Sequence, residues 1–375
     1  MVYLDNAATS FPKPPAVLRS LMECAKKYCG NPGRSSHSLS VKSCEMIYAA
    51  REAISRLLGI ENEENVVFTM NATYALNLAI KTSVKEGMHV IISDIEHNSV
   101  LRPLHALKKS LGIEVSSFNS DAADLESEIE AHIKVNTAYI ISSLMSNVTG
   151  KEIPLSLLSR VARKHRIKLI TDASQLIGHK DIDLKNHPCD ILCAPGHKGL
   201  FGIQGVGFAV FLDGEMRDSF IEGGSGNNSV SEGMPQLLPE RFEAGTLPTP
   251  SIVSLERGVR YVREYGLSAA EEHARYMSEL VQERILSVRG ARLLSTHKNG
   301  VTPFNLIDFP SSEISAELDK CGICTRSGLH CAPSAHRKLG TVEQGAVRIS
   351  TSIMNTKRDI DKFYVALKNI SAALI

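Results

Sequence analysis

Ile167-Lys-Leu-Ile-Thr-Asp-Ala-Ser-Gln175 and, a short way downstream, Asp190-Ile-Leu-Cys-Ala-Pro-Gly-His-Lys-Gly199 are two apolar runs that each end in polar residues. Short apolar runs closed by turn residues read as buried strands, here Lys168–Thr171 and Asp190–Cys193. Five further runs of this kind are Val66–Thr69, His89–Ser93, Ile113–Ser117, Thr137–Ser142 and Gly205–Leu212. Helical patterns begin between them near Thr73, Ser99, Leu125 and Leu155. This alternation predicts an α/β fold with a mostly parallel, seven-stranded sheet flanked by helices. Ligands on such sheets gather beyond the carboxyl ends of the strands, where these polar residues fall.

Outward from this centre, the chain opens on a short strand and a Pro-rich turn, Phe11–Pro15. Helical spacing follows over Val17–Tyr28 and Ser40–Leu58, with a loop at Asn31–Ser36. Glu222–Pro250, rich in Gly, Ser, Asn and Pro, reads as a long functional loop. From Ser251 the pattern changes. One long helical stretch runs to about Val288, then strands at Val301–Phe309 and Val347–Thr351, then a last helix at Lys357–Leu374. The predicted division is a large domain over 13–250 and a smaller α+β domain over 251–375, with residues 1–12 packing against the smaller one.

The 375 residues are 43% hydrophobic, enough for a large core. A net charge of +1 gives no basis for a nucleic-acid partner. The N-terminus lacks a basic segment followed by an apolar one, and no apolar run suffices to span a bilayer, so neither secretion nor a membrane is expected. Eight cysteines in a chain this long are not a disulfide framework. A reduced, cytoplasmic protein is the expectation. Cys321-Gly-Ile-Cys324 has no second pair at metal-binding spacing, so no metal site is expected.

A lysine after one strand and an aspartate at the end of another suit pyridoxal phosphate. Lys198 would hold the aldehyde as a Schiff base, and Asp172 would keep the pyridine nitrogen protonated. Asp172 alone reads equally as a helix cap; Gly196-His-Lys198 tips the balance. Gln175 lies about one turn on, suited to donate to the ring hydroxyl. His97, after another strand, suits stacking on the ring and proton transfer. Asn71-Ala72-Thr73 opens a helix and suits a phosphate, with His197 and Thr246 as further donors. Cys331 sits in a glycine- and proline-flanked loop, where Arg326 and His330 would favour its thiolate. Arg348 suits a substrate carboxylate, with Asn147 assisting from the opposite side.

These residues give the chain a resemblance to the class V aminotransferase family and, within it, to the cysteine desulfurases. The likeness covers nearly the whole length. It rests on Tyr3-Leu-Asp-Asn-Ala-Ala-Thr9, Asn31-Pro-Gly-Arg-Ser-Ser-His37, Glu96-His-Asn-Ser99, Ser146-Asn-Val-Thr-Gly150, Thr171-Asp-Ala-Ser-Gln175, Gly196-His-Lys198, Phe242-Glu-Ala-Gly-Thr246 and Arg326-Ser-Gly-Leu-His-Cys331-Ala. The short loop before Cys331 is similar to group II, SUF-like members and to a bacterial subgroup of them. The resemblance implies a fold-type-I homodimer with sites at the subunit interface. It implies pyridoxal 5′-phosphate held by Ala72, Thr73, His97, Asn147, Asp172, Gln175, His197 and Lys198, with Thr246 reaching the partner's site. It places Ala8, Asn147, Arg326 and Arg348 about the substrate, and gives the chemistry to Lys198, His97 and Cys331.

The implied reaction converts L-cysteine to L-alanine and leaves a persulfide on Cys331 for a sulfur-acceptor protein. A selenocysteine lyase acting on L-selenocysteine, another C–S lyase, or a silent dimeric scaffold would share the fold. Two residues depart from the pattern. Pro195 stands where many relatives have a hydroxyl, and Ala72 where some have threonine. Each change removes a phosphate hydrogen bond worth about 1.5–3 kcal/mol when charge-assisted.

Overall fold

The computed structural model describes residues 1–33, 36–226, 230–307 and 309–374. Arg34 and Ser35 of the Asn31–His37 motif, residues 227–229 of the long loop, and Asp308 of the expected strand Val301–Phe309 lie outside the described residues.

Strand β1 (Val2–Tyr3) leads into helices α1 (Pro15–Lys27) and α2 (Ser38–Leu58). The central sheet is built from β2 (Val66–Thr69), β3 (His89–Ser93), β4 (Glu114–Phe118), β5 (Thr137–Ser143), β6 (Lys168–Asp172), β7 (Ile191–Pro195) and β8 (Gly207–Phe211). Helices α3 (Ala72–Ser83), α4 (Asn98–Leu111), α5 (Leu125–Glu130) and α6 (Leu155–His165) alternate with them. The order is β2-β8-β7-β6-β5-β3-β4. β8 runs antiparallel to both neighbours and every other pairing is parallel.

The inner strands are apolar along their length because helices cover both faces; every residue of β3, β7 and β8 is buried. Edge strand β4 exposes Glu114 and Ser117. It lies one residue later than its sequence pattern suggests, because a half-covered strand has weaker apolar constraint. Helix starts are set by side-chain caps. Asn71 accepts from the Tyr74 amide at 2.9 Å, and His97 Nδ1 accepts from the Ser99 amide at 3.0 Å.

The expected single helix to Val288 is two, α7 (Thr249–Tyr265) and α8 (Leu267–Leu286). Gly266 separates them at φ +93°, a left-handed conformation that helices do not tolerate. Ile252, Leu255 and Val259 of α7 pack into the core shared with α2 and the central sheet. The expected boundary at residue 251 therefore falls inside a helix of the large layer. A separate core starts with Met277 of α8. It gathers β9 (Ala291–Leu293), β10 (Val301–Leu306), α9 (Ser311–Lys320), β11 (Ile323–Cys324), β12 (Val347–Ser350) and α11 (Lys357–Leu374). The short helix α10 (Pro333–Leu339) packs on the large core through Ala335 and Leu339. β12-β10-β9 form an antiparallel sheet, while β1 pairs in parallel with β11. Val2 and Leu4 thus belong to this second layer. Among the described residues, no helix is long and apolar enough to cross a membrane.

One buried ion pair fastens the long loop to the sheet edge. Arg51 of α2 donates to Glu243 at 2.6 Å and to the Val66 carbonyl, and its guanidinium lies 4.7 Å from the Phe68 ring centre. The other Glu243 oxygen accepts from the Phe68 amide at 2.6 Å. Removing one partner strands a buried charge. Glu243→Ala is expected to lower the urea-unfolding free energy by about 3 kcal/mol, whereas Arg51→Met combined with Glu243→Leu should recover most of the loss.

Candidate active site

Asp172 is the last residue of β6 and is buried; its Oδ1 accepts from the Ser174 amide at 2.9 Å. Lys198 lies just past the end of β7. What sets the two side chains on one cavity is backbone contact between the turns that carry them. A Cβ at Gly199 would stand 2.2 Å from the Ile177 carbonyl oxygen, and one at Gly178 would stand 2.4 Å from that of Gly199. Only glycine permits this approach. The N-terminal segment holds the Lys198 turn from the other side: the His197 carbonyl accepts from the Ser10 amide at 3.0 Å and from Lys13 Nζ at 2.9 Å.

These strand ends and the starts of α3 and α4 line one cavity, partly open to solvent. Ala72, Thr73, His97, Asn147, Asp172, Gln175, His197 and Lys198 all line it, so eight of the nine expected cofactor residues meet in one place. The ninth, Thr246, lies outside it, exposed, in a separate surface cleft shared with Asn31, Tyr48 and Arg51. Burial lowers the Lys198 amine to about 8, against the opposing pull of Asp172. Burial likewise lowers His97, with Asp172 opposing. It brings His197 down to about 4, followed by repulsion from Lys198 and Lys13.

The cavity's donor set fits a phosphorylated pyridine aldehyde. At one end is the N-terminus of α3, whose first amides have no partner within the helix. Gly207 lets that terminus sit low, since a Cβ there would come within 2.6 Å of the Asn71 carbonyl carbon. Thr73 Oγ1 and Ser99 Oγ, 2.7 Å apart, stand beside it. His197 Nδ1 is buried with no partner among the described residues, the condition of a donor waiting for an acceptor. At the other end stand the Asp172 carboxylate and the Lys198 amine.

Ser99, which lines the cavity, is a residue that sequence reasoning missed, although its position in the first turn of α4 was available. It also bonds His97 Nδ1 at 2.9 Å. Glu96, fully buried, accepts from the Ser143 amide and hydroxyl, both at 2.8 Å, and from Ser93. It braces the ends of β3 and β5 beneath His97. Burial raises its carboxyl to about 7.

Several expected contacts differ. The Gln175 amide donates one of its two N–H groups to the Ala7 carbonyl at 3.0 Å, one residue before Ala8. Asn147 does not face Arg348 from across the site but bridges it to the cysteine turn. Its carbonyl accepts from Arg348 Nη1 at 3.0 Å, and its amide donates to the His330 carbonyl at 2.7 Å. Arg348 is buried, with Nη2 on Asp5 at 2.7 Å and Nε without a partner among the described residues. Asp5 carries no local signal, because its partner lies at the far end of the chain. Arg326 is exposed and meets Arg348 through the backbone, where the Arg348 amide donates to the Arg326 carbonyl at 2.7 Å.

Cys331 is exposed on a turn at the rim, at φ +57°, and its carbonyl accepts from the Asn98 amide at 2.8 Å, next to His97. His330 offers this thiol no positive charge, contrary to expectation. Burial drives its imidazole down to about 2, and both ring nitrogens are engaged elsewhere.

A family model described as aminotransferase class-V matches residues 2–363. A probable cysteine desulfurase from Methanothermobacter thermautotrophicus is 29% identical over 99% of this chain and 94% of its own. One from Borreliella burgdorferi is 28% identical over 99% of this chain and 92% of its own. The apo structure of a cysteine desulfurase from Thermococcus onnurineus superposes with a TM-score of 0.93, at 27% identity, over 100% of this chain and 95% of that one. A cysteine desulfurase from Escherichia coli, 24% identical, shares the fold at a TM-score of 0.90 over 100% of this chain and 95% of its own.

The glycine contact is directly testable. Gly199→Ala should lower the unfolding free energy by about 2 kcal/mol or more, because the added carbon meets backbone. Gly233→Ala, where no atom lies within 4 Å of the added carbon, should leave the urea midpoint unchanged.

Proposed function

Because this chain belongs to the class-V aminotransferase family, we propose that it is a pyridoxal 5′-phosphate-dependent cysteine desulfurase, converting L-cysteine to L-alanine through a Cys331 persulfide. The observation that carries this reading is the joining of two features. One cavity holds Lys198, Asp172 and the phosphate-type donors, and the Cys331 turn is bonded to its rim through Asn147 and Asn98.

The cofactor, when bound, supplies an electron sink for charge developing on the substrate. Asp172 holds the proton on its ring nitrogen. The helix α3 amides, Thr73, Ser99 and His197 hold its phosphate, Ser99 standing in for the hydroxyls that Pro195 and Ala72 do not supply. Lys198 would hold the aldehyde, and its amine would move the proton at the substrate Cα. Burial keeps this amine near 8, so a usable fraction is neutral at physiological pH. Arg348, whose buried Nε has no partner among the described residues, would orient the substrate carboxylate with Asn147, and Ala8 and Arg326 would assist. His97, which lines the cavity, would lie against the ring.

The Cys331 thiolate attacks the substrate sulfur. The new S–S bond forms as the S–Cβ bond breaks, and the electron pair of that bond stays with carbon. A proton delivered to that carbon and one returned to Cα give alanine. The persulfide on Cys331 then passes its outer sulfur to the thiol of an acceptor protein or to a reductant. Thr246, exposed and apart from its own chain's cavity, suits donation to the phosphate bound by a second copy, in a homodimer.

Cys331→Ala is expected to keep the yellow cofactor absorbance while losing sulfide release from L-cysteine by roughly 100-fold or more. Sulfide and alanine assays on the purified holoprotein measure this. Turnover equal to the unmodified enzyme would remove Cys331 from the chemistry.

A further inference from the structure

Behind the Cys331 turn lie two imidazoles that the chemistry above does not use. His330 is buried, and His336, in the last turn of α10, is wholly so. His330 Nδ1 faces His336 Nε2 at 3.1 Å, and His336 Nδ1 faces Thr341 Oγ1 at 2.8 Å. His330 Nε2 faces the Arg326 carbonyl oxygen at 3.4 Å. The rings are nearly parallel, 18° apart with centres 5.4 Å from each other.

The proton positions follow from the network. A carbonyl only accepts, so His330 carries its hydrogen on Nε2. In a neutral ring Nδ1 is then an acceptor, and His336 must donate to it from Nε2. His336 Nδ1 therefore accepts from the Thr341 hydroxyl. The reverse assignment would point a lone pair of His330 at the Arg326 carbonyl. Burial, the leading cause, lowers both imidazoles and disfavours a charged form of either.

We infer that His336 is a positioning residue: with Thr341 it locks His330 as the Nε2–H tautomer and so holds the turn that presents Cys331. The inference rests on the role proposed for Cys331. His330 at φ +49° and Cys331 at φ +57° are successive left-handed residues that carry a Cβ. Such a backbone persists only where its surroundings over-determine it. Asn147 and Asn98 hold the two carbonyls of this turn, and the imidazole chain holds its side chain. The same chain runs into the frame around Arg348. The Thr341 amide donates to the His336 carbonyl at 3.0 Å, and the Gly345 amide to the Thr341 carbonyl at 2.8 Å. The Arg326 carbonyl that receives His330 also receives the Arg348 amide. Thiol and carboxylate anchor are thereby fixed relative to each other.

Two measurements on the holoprotein test this. With ¹⁵N-histidine labelling, nitrogen chemical shifts at neutral pH should show two neutral Nε2–H rings that change together on Thr341→Val and of which one vanishes in His336→Gln. In steady-state assays His336→Leu should lower kcat for L-cysteine by about tenfold or more, with KM and cofactor absorbance near those of the unmodified enzyme. His336→Gln should recover most of that loss, because its amide can donate to His330 and accept from Thr341. An Nδ1–H or cationic state of either ring, or full kcat in His336→Leu, would overturn the inference. Should His336→Leu fail to fold, the labelling pattern and the kcat of Thr341→Val still decide. The nitrogen shifts do not depend on turnover, so a fully active Cys331→Ala variant would refute the nucleophile and leave the tautomer assignment standing.

Discussion

Two turns touch through bare backbone, Gly199 against Ile177 and Gly178 against Gly199, and the active site is arranged around that contact. Side chains can rotate away from each other; main chains packed at this distance cannot. The carboxylate that ends β6 and the amine beyond β7 therefore share one cavity without any direct bond between them. Parallel pairing of β6 with β7 sets Asp172 beside Cys193, two residues before the end of β7, and the glycines bring the following turns together. The low amine basicity follows from the same closure, since the burial that shapes the cavity also disfavours a charged Lys198.

The second layer reaches the site by three routes. The N-terminal segment pairs with β11, then crosses to bond Gln175 and the His197 carbonyl. Asp5 of that segment holds Arg348. The Cys331 turn returns to the cavity rim through Asn147 and Asn98. Lys338, at the end of α10, is held by Asp94 and Asp121, both at 2.7 Å. The thiol is thus exposed at its tip and anchored on every side below it, an arrangement suited to reaching both a buried substrate and an external acceptor.

The central sheet was legible because its strands are buried on both faces, which forces apolar runs that no surface element imitates. The positions of Lys198, Asp172, His97, His197 and Thr73 were legible for a related reason: polar residues at the ends of such runs have few other uses. Long-range pairings were not. Nothing near Asp5 announces Arg348, and nothing near Val2 announces Ile323. Gly266 lies in a sequence helical on both sides, and only its positive φ reveals a break. His330 looked like a charge for the thiol because sequence does not report burial. Burial, followed by repulsion from Arg348 and His336, lowers its imidazole. Ser99 was hidden by its neighbour His97, whose cap it completes.

Borohydride reduction of the holoprotein, followed by peptide mapping, tests most directly whether one amine holds the cofactor in this cavity. A single pyridoxyl group is expected, on Lys198, and none when Lys198→Ala is treated in the same way. A pyridoxyl group on Lys13 or on a surface lysine in the unmodified protein, with Lys198 free, would contradict the assignment of Lys198 as the anchor.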